Sequence, residues 1–192
     1  MKKLIIATTN AGKVIEIDSG LGEMPGWLFE PLSQGIPSIE ETGTTFVQNA
    51  VLKAEHYSRL TRDLTLADDS GLCVAALGGR PGVHSARYAP DPPSRIKRIL
   101  GEMKNVPDGK RDAAFYCALA VAENGSTIWT VEGEVQGVIA HAPSGTSGFG
   151  YDPVFLLLEL GRTMDDLSTE DKNRLRARGK ALMELRKFLL SP

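Results

Sequence analysis

Short apolar runs alternate along this chain with stretches whose apolar residues recur at helical spacing. Lys2 to Thr8 is nearly continuous in apolar residues and predicts a buried strand. Val14, Ile15, Ile17 and Leu21 then predict a helix. Residues 22–44 are rich in Gly, Pro and Ser and read as a connection, with a short strand near Trp27-Leu28-Phe29. Thr45 is a good N-cap, and Gln48 three residues on completes a capping box for a helix whose buried face carries Phe46, Ala50, Ala54 and Tyr57. Leu64-Thr65-Leu66-Ala67 predicts a short buried strand that ends in Asp68-Asp69 and a Ser70-Gly71 turn. A second apolar run, Leu72 to Leu77, stops at Gly78-Gly79-Arg80-Pro81-Gly82.

The second half continues the alternation. Asp91-Pro92-Pro93-Ser94 opens a helix with a core stripe of Ile96, Ile99, Leu100 and Met103. Asn105 to Lys110 reads as a turn, and Ala113 to Val121 as a long strand. Asn124-Gly125 is a strong hairpin signal, and the return strand runs from Thr127 to Ala140. Gly133 and Gly137 predict bends or bulges in it, and the pair reads as a ribbon projecting from the main sheet. After a glycine-rich loop, Val154 to Leu158 is a further short strand. Ser168 starts a last helix, with Asp171 three residues on, a stripe of Leu175, Leu182, Leu185 and Leu189, and a bend at Gly179. Alternating strands and helices, then a hairpin and a closing helix, predict an α/β fold with a mixed sheet.

Composition narrows the function classes. The 192 residues fit one domain, or one domain with a smaller lobe, and 42% apolar with 24% charged content is ordinary for a globular protein. A net charge of −2 gives no general attraction to nucleic acid or to an anionic membrane. Lys172, Arg174, Arg176, Arg178 and Lys180 occupy every second position of the last helix, which spreads charge round the cylinder and argues against a nucleic-acid face. Cys73 and Cys117 lie far apart within apolar runs and read as reduced, buried thiols. The apolar part of MKKLIIATTN is too short for a signal sequence or a membrane span, so the expected location is cytoplasmic.

Three stretches carry candidate chemistry. Asp68 and Asp69 close an apolar run, where two adjacent carboxylates call for a cation or for a task; a solvated turn would use the same residue types. Thr8 to Lys13 places a small polar loop between a strand and a helix, an arrangement that aims backbone N–H groups at an anion, although most such joints bind nothing. Pro143 to Asp152 interleaves Gly145, Gly148 and Gly150 with Phe149 and Tyr151, as a loop that lets a base stack would do, or a plain loop. Glu40 and Glu41 precede a helix whose positive end they could simply serve.

In combination, TTNAGK (8–13), EETGTTFVQNA (40–50), LADDSGL (66–72), GGRPGVHSARY (78–88), GTSGFGYDPVF (145–155) and LSTEDKN (167–173) resemble the inosine triphosphate pyrophosphatase family, the Ham1/RdgB-like nucleotide house-cleaning enzymes, over nearly the whole chain. The resemblance implies a magnesium-dependent hydrolase that cleaves non-canonical purine nucleoside triphosphates (ITP, dITP, XTP) to the monophosphate and pyrophosphate. It implies one domain over residues 1–192, an elongated mixed sheet with flanking helices in two lobes around a nucleotide cleft, and a homodimer with no nucleic-acid or membrane partner. Residue by residue it implies that Thr8, Thr9, Asn10, Ala11, Gly12 and Lys13 hold the triphosphate and that Asp69 activates water. Ser70 would touch substrate, Phe149, Gly150, Tyr151 and Asp152 would bind base or ribose, Lys172 would meet a phosphate, and Arg178 the base. Mg2+ would lie between Asp69 and Glu40 or Glu41, with Asp68 supporting the metal set.

The chain departs from the family pattern at Thr9, where Gly is usual, at Gln48, where Glu is usual, and at Arg176-Ala177, where Ser-His is usual. The missing His implies looser discrimination against ATP and GTP, or discrimination resting on backbone N–H groups and Arg178. Two rival readings make different predictions. A pyrophosphatase for modified pyrimidines would turn over dUTP faster than dITP. A non-catalytic nucleotide or RNA binder would lose nothing in Asp69→Asn.

Overall fold

A computed structural model describes residues 1–8, 10–146 and 150–191. The elements in order are β1 (Lys2–Ile6), α1 (Ala11–Leu21), β2 (Trp27–Pro31), α2 (Phe46–Thr61), β3 (Leu64–Val74), α3 (Pro92–Glu102), β4 (Asp112–Glu123), β5 (Ser126–Ile139), β6 (Phe155–Leu157), β7 (Arg162–Thr163), α4 (Thr169–Leu175) and α5 (Ala177–Leu190). Among the described residues the strands form one seven-stranded sheet in the order β2-β1-β3-β4-β5-β6-β7. β1 runs parallel to β2 and β3, while β6 is antiparallel to β5 and β7, so the sheet is mixed. The fold is the expected α/β class.

The chain divides into two compact units, one of Met1–Asp69, Cys117–Gly133 and Ala177–Pro192, the other of Ser70–Tyr116 and Glu134–Arg176. In the first, Leu4, Leu21, Ala50, Leu66, Leu119 and Leu185 are fully buried. The helices α1 and α5 pack together there, and a methyl added at Gly20 would lie 2.5 Å from Leu182 Cδ1. In the second, Leu72, Ile99, Met103, Ile139, Phe155 and Met164 form the core. Arg111 is buried in it and donates to the carbonyls of Ile139, Met103, Val106 and Ala140, which ties down the 105–110 turn.

Several expectations need correction. The strand that carries the two aspartates does not end at them: β3 continues through Asp68, Asp69, Ser70 and Gly71 to Val74. Turn-forming side chains read as a turn locally, but here tertiary partners hold both carboxylates within the strand. The following run is strand only as far as Val74, and Ala75–Leu77 is a single 3-10 turn with Ala75 and Ala76 exposed. The capping at Thr45 is displaced: Thr45 Oγ1 accepts from Gln48 N, but the Gln48 side chain accepts from Thr44 N, one residue earlier than a capping box requires. The β4–β5 pair is no projecting ribbon, for both strands lie inside the sheet. Gly133 and Gly137 sit within continuous β5 because other chain crowds them; added methyls would lie 2.2 Å from Ala177 O and 2.6 Å from Leu156 O. The last helix is two, separated at Arg176, whose backbone is extended (φ −60°, ψ 148°), rather than one bent at Gly179.

Candidate active site

Successive residues of a strand face opposite sides of its sheet. Asp68 and Asp69 are therefore split, and their partners differ. Asp68 Oδ2 accepts from Lys13 Nζ of α1 at 2.9 Å and from Arg178 Nη2 of α5 at 3.0 Å. Arg178 also pairs with Glu16 of α1. Asp69 meets α2 instead: Asn49 Nδ2 donates to its Oδ2 at 3.1 Å, and Lys53 Nζ lies 3.4 Å from its Oδ1. Lys53 reaches Glu41 Oε1 at 2.7 Å as well, so one ammonium lies between two carboxylates.

These surroundings push the neighbouring aspartates in opposite directions. Burial would raise Asp68, but Lys13, Arg178 and Lys53 together outweigh it and hold the carboxyl well below its usual range. For Asp69 burial prevails over Lys53 and Asn49, with Glu41 adding repulsion, and the carboxyl is raised. Two carboxyl groups tuned apart are the usual mark of divided labour: one kept as a fixed charge, the other able to exchange a proton.

The loop before α1 is less open to an anion than its sequence implies. Asn10 caps the helix, its Oδ1 accepting from the backbone N–H groups of Gly12 and Lys13, while Thr8 Oγ1 accepts from Asn10 N. Asn10 and Ala11 are exposed, Thr8, Gly12 and Lys13 half-buried, and Thr9 lies outside the described residues. Of the two glutamates, Glu41 is the one brought to Asp69 through Lys53, and Glu40 is exposed.

The second unit holds the remaining candidates. Ser70 is half-buried on β3. Phe149 lies outside the described residues. Gly150 has φ +59°, a conformation that favours glycine, and opens the way to a buried Tyr151 and Asp152. The Tyr151 hydroxyl donates to Ser85 O at 2.8 Å, and burial pushes its pKa up to about 12. Asp152 pairs with Arg176. Lys172 Nζ lies 3.4 Å from buried Asp165 Oδ1.

Among the described residues no three His, Cys, Asp or Glu side chains converge in a metal cage. Magnesium does not need one, since it is usually held by one or two carboxylates with water and substrate phosphates. Glu41 and Asp69 meet that requirement: both already converge on a cation, the Lys53 ammonium. On the other face of the strand, the buried Asp68 Oδ1 has no hydrogen-bond partner among the described residues.

Sequence reasoning missed Lys53, Asn49 and Glu16. A signal for the first two was present: they stand four apart in α2, flanking the apolar face of Phe46, Ala50, Ala54 and Tyr57. Glu16 follows Lys13 by one turn of α1.

The family model for the Ham1 family matches residues 4–188. A dITP/XTP pyrophosphatase of Geobacillus kaustophilus is 50% identical, with 96% of this chain and 93% of that protein covered. A dITP/XTP pyrophosphatase of Bacillus subtilis is 45% identical, with 98% of each covered. Among solved structures, a HAM1 protein from Coxiella burnetii superposes with a TM-score of 0.91 at 38% identity over 98% of both chains. The Staphylococcus aureus Ham1 protein gives 0.87 at 36% identity, again over 98% of both. With a nearly full-length family match and relatives of this similarity, the chain belongs to the Ham1 family.

Proposed function

We propose that this protein hydrolyses non-canonical purine nucleoside triphosphates, dITP, ITP and XTP, to the monophosphate and pyrophosphate, and so clears them from the nucleotide pool. The observation that carries the reading is the pairing of Asp69 and Glu41 around Lys53, with Asp68 on the opposite side of the strand locked to Lys13 and Arg178. The names of the relatives, dITP/XTP pyrophosphatases, supply the substrate class.

In this proposal Asp69 is the general base. A carboxylate within reach of a water can take its proton, and Asp69 would do so for the water that attacks the α-phosphorus. Glu41 and Asp69 would hold Mg2+, which supplies charge neutralisation on the phosphate oxygens. Lys53 would turn from its two carboxylates to a phosphate as the polyphosphate enters. Thr8 to Lys13 and Lys172 would bind the rest of the triphosphate, Ser70 would touch substrate, and Phe149 to Asp152 with Arg178 would take base and ribose. The working form would be a cytoplasmic homodimer that binds neither nucleic acid nor membrane; among the described residues no helix is long and apolar enough to cross a bilayer.

The test is pyrophosphate release from a panel of purine and pyrimidine triphosphates, with and without Mg2+. Release should be fastest from dITP, ITP or XTP and should depend on the metal. Asp69→Asn should abolish it while nucleotide binding persists. Glu41→Ala should raise the magnesium requirement, and Glu40→Ala should not. Faster release from dUTP than from dITP would refute the substrate assignment. Unchanged turnover in Asp69→Asn would refute the mechanism.

A further inference from the structure

We propose that Asn49 is a positioning residue that fixes the separation between the carboxylates of Glu41 and Asp69. The inference rests on the reading of those two groups given under Proposed function. Asn49 is fully buried on α2, and both ends of its amide are engaged. Its Oδ1 accepts from the backbone N–H of Gly43 at 2.8 Å, and its Nδ2 donates to Asp69 Oδ2 at 3.1 Å. A backbone N–H can only donate and a carboxylate can only accept, so the two partners dictate which way the amide faces.

One side chain thus joins two segments that are distant along the chain. Gly43 stands two residues after Glu41, so its position sets where the Glu41 carboxylate can reach. Asp69 lies 20 residues beyond Asn49, on β3. Because Asn49 occupies Oδ2, the other oxygen of Asp69 is the one turned to Lys53 and, through it, to Glu41.

Gly43 shows independently how close this clamp is. A methyl group added there would lie 2.6 Å from Asn49 Oδ1, 2.8 Å from Gln48 Cβ and 3.0 Å from Asn49 N. Only glycine lets the loop sit so close to α2. Gln48 adds a second hold, accepting from Thr44 N at 2.8 Å. Neither Asn49 nor Gly43 need touch the substrate to act. They act by holding the two carboxylates at one spacing, as partners of metal-binding groups commonly do.

Two full-length variants test this, Asn49→Ala and Gly43→Ala. The first removes the clamp; the second keeps the Asn49 amide but sets a methyl against its Oδ1 and so pushes loop and amide apart. Binding of Mn2+ without nucleotide, followed by the electron paramagnetic resonance signal of the free ion, gives a readout independent of turnover. Each variant should weaken Mn2+ binding about ten-fold or more and lower kcat for dITP similarly, while KM for dITP changes by less than about three-fold. A merely structural role predicts a lower unfolding midpoint with Mn2+ affinity and kcat unchanged, and that result would overturn the proposal. If Asn49→Ala does not fold, Gly43→Ala alone decides by the same criteria. A parent protein that binds Mn2+ and releases pyrophosphate, beside variants that match it, overturns this inference and leaves the proposed function standing. A parent that does neither overturns both.

Discussion

Arg178→Met isolates the buried charge network. The Arg178 side chain is 9% exposed and that of Asp68 is fully buried, so solvent screens neither. In the parent, Arg178 pairs with both Asp68 and Glu16, and Lys13 pairs with Asp68. Methionine keeps much of the volume and removes the one cation that pairs with both carboxylates. Breaking a buried ion pair from one side costs about 3–5 kcal/mol. For a chain of this length that lowers the melting temperature by about 6–20 °C. The loss should also depend on pH. In the parent, Asp68 titrates below its unfolded value, so its ionised form stabilises the fold above that value, and the contribution fades as pH falls through the folded one. Without Arg178 the burial of Asp68 is less opposed and its pKa rises. Acidification then protonates the uncompensated carboxyl and relieves the variant before it harms the parent. The difference between the two proteins should therefore be largest near neutral pH and shrink toward acid. Urea unfolding followed by far-ultraviolet circular dichroism, at neutral pH and again in mildly acidic buffer, measures it. A gap below about 1 kcal/mol at neutral pH, the size of an exposed pair, would refute the reasoning. So would a gap that stays constant on acidification.

Three shorter predictions follow from other sites. Cys117 is buried with its thiol pKa pushed up to about 12, so iodoacetamide at mildly alkaline pH should label half-buried Cys73 first and Cys117 only on unfolding, as peptide mass spectrometry would show. Gly133→Ala should cost about 1–3 kcal/mol by denaturant titration, since the added methyl would meet the Ala177 carbonyl oxygen at 2.2 Å. Ala177→His restores the residue usual in the family at a buried position, and should raise the ratio of ITP to GTP turnover in a pyrophosphate-release assay; an unchanged ratio would show that position 177 does not read the base.

Local signals were legible where the answer is local. Thr45 and Asp91 cap α2 and α3 through side-chain oxygens, and Asn124-Gly125 makes the turn into β5. Asp68-Asp69-Ser70-Gly71 misled because each residue favours turns and the groups that hold two of them are remote. Arg178 lies 110 positions from Asp68 and 162 from Glu16, and no local window contains such a pairing. The same holds for Arg111, whose carbonyl partners at Ile139 and Ala140 come from another strand and its end. At the candidate site the carboxylates announced themselves, since adjacent aspartates after an apolar run are unusual. Their amide and ammonium partners did not. Asn49 and Lys53 are ordinary surface types in a helix, and only the packing of α2 turns them inward.

The unit that contains the first strand is also completed by the last helix. This has a consequence for synthesis on the ribosome. Residues up to 69 emerge early, yet the guanidinium that neutralises Asp68 and Glu16 comes from position 178. Until then Asp68 and Glu16 lack the guanidinium that pairs with both, so the interior cannot close in its final form before position 178 has emerged. Premature termination just short of the carboxyl-terminal helix should hence cripple the half of the molecule made first.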